Sequence, residues 1–509
     1  MSFEEQLTEL DTRRARALAM GGPEKLARRQ AQGVLNARSR IDALFDAGSF
    51  IESGMFAASA RAEDRAVTPA DGKVAGFGRV DGREVAIVSN DFTVKGASSA
   101  TINIKKLRHM KRVAKQRGIP IVFLGESTGA RMPDIMGASS IGSKDDPVEY
   151  QRTRETPWVA AVLGHSYGSS AWYAAMSDFC VMRKGAIMAV SSPRLIAMAT
   201  GRTVDAEALG GWRVHAEASG IVDQVVDSDE EALAAIRRFL SYLPSNHMQA
   251  PPEHPVSPGS DDAIKGVMGL LPESPNQVYD VRAIVRAIFD RDSMFEMKAR
   301  FGRTVVTALA RLDGRSVGVV ANNPLHKGGA IDADACRKVQ SFLVLCDSFN
   351  IPLVFLVDQP GFLIGMEGEQ QGVTGKVMNW MNALTLCTVP KLSVVMRKSY
   401  GLAVSNMGGG GNADEVACWV SAEVSFMKPE FGAQIVHGVT PDEPQKFREA
   451  TALMAKGSTP YDMAAVYTAH NVIDPRDTRD YLKRMLEVHR MRLTDGVGRH
   501  LMCGWPTSY

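Results

Sequence analysis

Residues 79–96 read RVDGREVAIVSNDFTVKG, and residues 311–328 read RLDGRSVGVVANNPLHKG. Asp81, Asn90 and Lys95 of the first segment recur as Asp313, Asn322 and Lys327, each 232 positions further on. The same offset carries Ile119–Leu124 (IPIVFL) onto Ile351–Leu356 (IPLVFL). Upstream, FDAGSFIE from Phe45 returns as FDRDSMFE from Phe289, and downstream Ser166-Tyr167-Gly168 returns as Ser399-Tyr400-Gly401. A single matched strand is ordinary. Matches kept in order along the chain indicate one unit written twice.

Each copy predicts the same elements. An Asp-Gly turn precedes a β-branched run (EVAIVSN; SVGVVAN) that suits a buried strand. A glycine-containing loop follows, then a helix over 100–116 in the first copy and 332–347 in the second. A second apolar strand (IPIVFLG; IPLVFLV) ends in a polar, glycine-bearing loop. Strand, helix, strand in this order implies a parallel crossover, so the fold class is α/β. The Pro- and Ser-rich stretch from Leu243 to Asp262 reads as the linker, which places one domain at 1–250 and the other at 251–509.

Size and composition agree with two ordinary globular domains, since 509 residues exceed one core and 45% are hydrophobic. A formal net charge of +2 offers no global field for nucleic acid or an anionic membrane, so anion binding must be local. The six cysteines show no CxxC pair; reduced thiols, no zinc ribbon and no metal site are expected. The first twenty residues mix acids and bases without an apolar core, and runs such as Ile351–Val357 are far too short to cross a membrane. The expectation is a soluble, cytoplasmic protein.

Ligands of open α/β sheets gather at the carboxyl ends of strands. Four loops fall there: Gly125–Asp134, Gly164–Trp172, Asp358–Gly368 and Arg397–Gly411. Gly168-Ser169 and Gly401-Leu402-Ala403 each follow an apolar run and precede a helix start. Small residues there let a ligand oxygen approach polarised backbone N–H groups, which is how an oxyanion hole is built. Other patterns fail. Gly372–Lys376 lacks the spacing of a phosphate loop, and Gly76-Phe77-Gly78 lacks the third glycine of a dinucleotide fingerprint. GHSYG, from Gly164 to Gly168, resembles a nucleophile elbow, but that fold is not internally duplicated. His165 reads as a packed or hydrogen-bonded residue. The first helix carries a basic stripe (Lys105, Lys106, Arg108, His109, Lys111, Arg112, Lys115, Arg117) that the second lacks. It is either a solvated face or a cradle for an anion, with Lys95, Lys105 and Lys106 as candidates for a nucleotide phosphate.

Taken together, these residues resemble the carboxyltransferase (β) subunits of biotin-dependent acyl-CoA carboxylases acting on propionyl-CoA, methylcrotonoyl-CoA and related thioesters. The resemblance runs through ARSRIDALFDAGSF, SNDFTVKGAS, ESTGAR, LGGWRVHAEASGIVD, CDSFNIPLVFLVDQPGFLIG, TVPKLSVVMRKSYG and VIDPRDTRDYL. It implies two tandem crotonase-like domains, the first binding acyl-CoA and the second, from a neighbouring subunit, receiving carboxybiotin. It also implies a homohexamer of two stacked trimers, with biotin carried on a separate carboxylase/carrier subunit and coenzyme A present only as part of the substrate. Since the cofactor acts as the base, the protein needs no catalytic triad and supplies two oxyanion holes. Carried over, Gly168 and Ser169 form one hole, and Leu402 with Ala403, beside Gly401, forms the other. Lys95, Gly96, Lys105, Lys106, Gly129, Ala130, Arg131, Tyr167, Gly361, Phe362, Tyr400 and Ser405 line the ligand sites. Ser169 and Leu402 stand where many members have glycine, and Ser405 where propionyl-CoA enzymes usually carry aspartate. A biotin-dependent decarboxylase remains open, as does a biotin-free crotonase-type enzyme, for which Glu126 and Asp358 are the carboxylates at suitable strand ends.

Overall fold

The computed structural model describes residues 2–138, 150–490 and 496–506. The chain divides into two compact units, Met1–Ser241 and Tyr242–Tyr509.

The first unit holds one eight-stranded sheet built from β1 (Ile51–Glu52), β2 (Lys73–Val80), β3 (Arg83–Asn90), β4 (Ile121–Ser127), β5 (Trp158–Tyr167), β6 (Phe179–Arg183), β7 (Ile187–Ala189) and β8 (Gln224–Val226). Its order is β1-β2-β3-β4-β5-β6-β8, with β7 paired to the outer part of β5. The second unit repeats the design with β9 (Phe295–Met297), β10 (Val305–Leu312), β11 (Arg315–Asn322), β12 (Leu353–Gln359), β13 (Lys391–Tyr400), β14 (Glu415–Trp419), β15 (Glu423–Ser425) and β16 (Asn471–Ile473). Its order, β9-β10-β11-β12-β13-β14-β16 with β15 on β13, is the same sheet again. β3, β4, β5 and β6 run parallel, as do β11, β12, β13 and β14.

The repeated sequence words have physical jobs. Asp81-Gly82 and Asp313-Gly314 turn the β2–β3 and β10–β11 hairpins, with φ positive at all four residues. That backbone is tolerated by Asp and free for Gly. The FD…S word ties each turn down. The Asp46 carboxylate accepts the N–H groups of Asp81 (3.1 Å) and Gly82 (2.8 Å), and Asp290 accepts those of Asp313 (3.0 Å) and Gly314 (2.7 Å). Ser49 and Ser293 accept the N–H of Arg79 and Arg311, each at 3.0 Å.

The two crossover helices span Thr101–Arg117 and Ala333–Ser348, one residue later than the pattern predicts. The first buries Asn103, Lys106, Leu107, Met110 and Ala114 at helical spacing against the sheet. Lys106 is therefore not part of an outward stripe. Its ammonium donates to the carbonyls of Gly54 (3.0 Å), Ala70 (2.9 Å) and Lys73. Lys338, 232 positions on, donates likewise to Phe301 (3.0 Å) and Val305 (2.7 Å).

Burial pulls the Lys106 amine down to about 8 and the Lys338 amine to about 7 from the ordinary 10.5. Between those values and 10.5 the unfolded chain binds more protons than the folded one, so this contribution to stability rises with pH. Between pH 7 and 9.5 the denaturation midpoint of the natural protein should therefore gain on that of Lys338→Met. A constant difference across that range would refute the assignment.

The Leu243–Asp262 stretch is docked on the second unit, not loose. The His254 N–H donates to the Gly314 carbonyl (2.8 Å), and the Asn350 side-chain amide donates to His247 and Gln249 (2.7 Å each). Five cysteines are buried and Cys503 is partly exposed, all as free thiols. Burial pushes Cys336 and Cys418 up to about 12, far from the reactive thiolate. A thiol reagent should titrate one group per native chain rapidly and all six after denaturation. Among the described residues no helix is long and apolar enough to cross a membrane.

Candidate active site

The parallel strands deliver three loops to one edge of each sheet. In the first unit the loops after β3 and β4 are stitched together by Ser99, whose N–H donates to Gly129 (2.7 Å) and whose carbonyl accepts from Arg131 N–H (2.8 Å). Ile331 does the same in the second unit, with Gly361 (3.1 Å) and Leu363 (2.8 Å). The loop after β5 joins through the Ser99 and Ser169 hydroxyls, 2.9 Å apart. Its counterpart is tied by the Gln359 side-chain amide, which donates to the Tyr400 carbonyl at 3.1 Å.

Gly96 shows why these loops need glycine. Its φ is +61°, and a Cβ would stand 2.6 Å from the Thr128 methyl. Gly129 and Gly361 have φ of 100° and 121°, and a Cβ on either would touch Tyr167 or Tyr400, respectively, at ordinary van der Waals distance.

At the β5 and β13 exits the chain passes through Gly168 (φ 63°) and Gly401 (φ 68°) into short helices, Ser169–Ala175 and Ala403–Asn406. One expectation is corrected here. The Gly168 N–H donates to the Ala189 carbonyl (3.2 Å) and that of Gly401 to Ser425 (3.0 Å), so neither points at a ligand. The glycines set the turn. The N–H groups that follow, on Ser169 and Ser170 and on Leu402 and Ala403, open the helices, where first-turn donors have no intrahelical acceptor. A Cβ on Gly168 would meet nothing within 4 Å, and one on Gly401 would meet only the Phe426 carbonyl at 3.4 Å. Each copy thus leaves open space over a glycine turn, beside the helix-opening N–H groups.

The carboxylates at the strand ends are struts. Glu126 is buried and binds Arg29 (2.6 Å) and Arg40 (3.0 Å). Asp358, its equivalent 232 positions on, binds Arg397 (3.0 Å) and accepts the Tyr279 hydroxyl (2.9 Å). Neither is placed to take a proton from a ligand.

The cationic candidates separate. Arg131 is 4% exposed and paired with Asp71, its Nε also donating to Ser98 Oγ at 3.2 Å. Arg131 thus supports its loop, and Lys106 leaves the phosphate candidates, because a buried, saturated cation cannot reach a phosphate. Lys95 remains at the surface, 3.3 Å from Asp64, and Lys105 is exposed. Ala130 lies exposed beside Gly129, and Phe362 partly exposed beside Gly361. Tyr167 and Tyr400 are buried, and burial raises both phenols. Ser405 is half-buried in the second short helix, next to Gly410. His165, expected to be packed, is exposed, its ring 5.7 Å from that of Tyr167. Sequence reading missed Ser99, Gln359 and Asp71; only the duplicated offset, applied to Ser99 and Ile331, hinted at the first.

Residues 28–495 match the carboxyl transferase domain family. The propionyl-CoA carboxylase beta chain of Roseobacter denitrificans is 34% identical over 94% of this chain and 95% of its own length. The methylmalonyl-CoA carboxyltransferase 12S subunit of Propionibacterium freudenreichii subsp. shermanii is 35% identical over 96% and 95%. Among solved structures, a transcarboxylase 12S hexamer with methylmalonyl-CoA and methylmalonic acid bound superposes with a TM-score of 0.89, at 33% identity over 96% and 95% of the two chains. The chain belongs to the carboxyl transferase domain family. It is an acyl-CoA carboxyltransferase made of two tandem crotonase-like domains.

Proposed function

We propose that this chain is the carboxyltransferase subunit of a biotin-dependent acyl-CoA carboxylase, moving a carboxyl group from carrier-borne biotin to the α-carbon of an acyl-CoA. The observation that supports it most is the repeated glycine turn: Gly168 and Gly401 turn the chain at equivalent strand exits, each followed by helix-opening N–H groups. The reaction develops negative charge on two carbonyl oxygens, one on the thioester and one on the ring of biotin. Two equivalent sets of donors are suited to that demand.

The first copy holds the acyl-CoA. Ser169 and Ser170 N–H groups bind the thioester oxygen, Ala130 and Gly129 border it, and Lys95 with Lys105 meets the phosphates as point charges. The second copy would hold biotin through the Leu402 and Ala403 N–H groups, with the Gly361-Phe362 loop and the Tyr400 turn bordering the site. When bound, carboxybiotin supplies the carboxyl group and the base. This chain's residues bind, orient and keep water out, and Glu126 and Asp358 hold their loops in place. Leu402, at the cap of the second short helix, and Ser405, within it, set the acyl group accepted. The subunit works in the cytoplasm within a hexameric core that depends on a separate biotin carboxylase and carrier.

Co-purification with the biotinylated partner, followed by bicarbonate- and ATP-dependent carboxylation of an acyl-CoA panel, tests the reading. Turnover of an acyl-CoA without biotin or ATP would replace it with a crotonase-type reaction. Partner-driven loss of CO2 from a carboxyacyl-CoA, without the forward reaction, would replace it with a decarboxylase.

A further inference from the structure

The basic stripe on the helix Thr101–Arg117 has a destination distinct from the acyl-CoA site. Arg108, Lys111, Arg112 and Lys115 line a cavity of about 310 Å³ together with Arg152 and Trp158. That volume lies within the ~300–1,000 Å³ range of small-molecule sites. The cavity opens at the starts of β4 and β5, where Ile121 and Trp158 lie. The glycine loops stand at the other ends, about 20 Å away along the seven residues of β4.

Its charge is concentrated. Among the described residues, five cationic side chains and one carboxylate, Glu155, line it. Lys115 is held by Glu155 at 3.0 Å, and Arg152 by Asp178, so both are fixed at the wall. Lys111 donates to the Gln151 carbonyl (3.0 Å) and lies 5.5 Å from the Trp158 ring centre. Lysine or arginine in a last helical turn offsets the helix dipole, which accounts for Lys115 and Arg117. That effect does not reach Arg108, Lys111 and Arg112, which lie before the last turn.

The second copy provides an internal control. At the four equivalent positions it has Gln340, Leu343, Val344 and Asp347, all buried. One copy sealed this face; the other kept it open and basic.

We propose that this cavity is a second anion site, taking a compact ligand with two or more phosphate groups, such as a nucleoside polyphosphate. Arg108 and Arg112 carry planar forks suited to phosphate oxygens, Lys111 and Lys115 add point charges, and Arg152, held by Asp178, adds to the positive field of the wall.

Calorimetric titration of the full-length chain with inorganic tripolyphosphate and with ATP tests this. One equivalent should bind per chain, and affinity should weaken as salt is raised from 50 to 300 mM. The double variant Arg108→Glu/Arg112→Glu should lose at least tenfold in affinity, Arg108→Lys/Arg112→Lys should retain binding, and carboxyl transfer should be unchanged in both. Melting curves and size of the variants report folding. Tighter binding of ATP than of tripolyphosphate would mark a nucleotide site, and equal binding a phosphate site. Absence of binding, or binding indifferent to the charge reversal, overturns the proposal. So does competition by free coenzyme A with loss of binding in Lys95→Ala, which would place the anion at the substrate site. If neither probe binds but the biotinylated partner subunit loses affinity for the charge-reversed chain, the cavity is a protein contact and the proposal also fails.

Discussion

Gly168→Val is expected to lower kcat for carboxyl transfer ~10²–10³-fold while the protein still folds and assembles. Gly168 sits at φ 63°, ψ −128°, a backbone conformation closed to β-branched residues. Space is not the obstacle, because a Cβ there would meet nothing within 4 Å. The cost is therefore local, about 1–3 kcal/mol of strain if the turn is kept. It is relieved by rotating the peptide that carries the next N–H, on Ser169. Losing one such donor typically removes ~3–4 kcal/mol of transition-state stabilisation. The added side chain also enters the open space over the turn. Gly401→Val should act alike on the second copy, where the only close neighbour is the Phe426 carbonyl at 3.4 Å. Steady-state carboxylation with the biotinylated partner, alongside thermal melting and size measurement, checks this. A kcat within threefold of the natural enzyme would remove the N–H groups after these glycines from the mechanism.

Arg40→Met should cost the first unit ~3–5 kcal/mol of stability, seen as a fall in its unfolding midpoint. Arg40 is 0% exposed and bridges two buried carboxylates, Glu126 (3.0 Å) and Asp229 (2.9 Å). Removing the cation leaves both anions in a medium that cannot solvate them, which is the expensive way to break a buried pair. Arg29 still reaches Glu126 at 2.6 Å, and Arg183 reaches Asp229 at 3.4 Å, so the loss is not larger. The exposed Arg13–Glu9 pair is a contrast. Arg13→Met should change stability by less than ~1 kcal/mol, because water screens both charges. Glu126→Gln separates support from chemistry: it should melt earlier while the folded enzyme keeps most of its turnover. Turnover lost without loss of stability would make Glu126 a base.

The same contrast explains a substitution between the copies. Glu126 in one copy becomes Asp358 in the other, and each is caught by an arginine that comes from a different part of the sequence. Arg40 lies 86 positions before its partner and Arg397 lies 39 after its own. The carboxylate's position is set by the strand, and the cation is found wherever the chain happens to pass. The site inherits its loop geometry from the duplication and its rigidity from solutions found separately in each half.

The sequence by itself determined the duplication, the order of strands and helices, the two hairpin turns and the four glycine loops. These depend on neighbours within a few residues, or on an offset that any two aligned copies display. It also marked Gly168 and Gly401, because a glycine at a strand exit has a local backbone reason. What each polar group does was decided by tertiary structure. Lys106 and Arg108 are two positions apart, yet one amine is saturated by buried carbonyls and the other cation faces a cavity. Helical rotation of ~100° per residue and the depth of packing separate them, and a run of basic letters carries neither. Arg131 reads as a ligand cation until Asp71, sixty positions earlier, is found beside it. The Gly168 N–H reads as an oxyanion donor until β7 pairs with β5 and claims it. A donor or a charge has no role until its partner is known, and only the fold brings distant partners together.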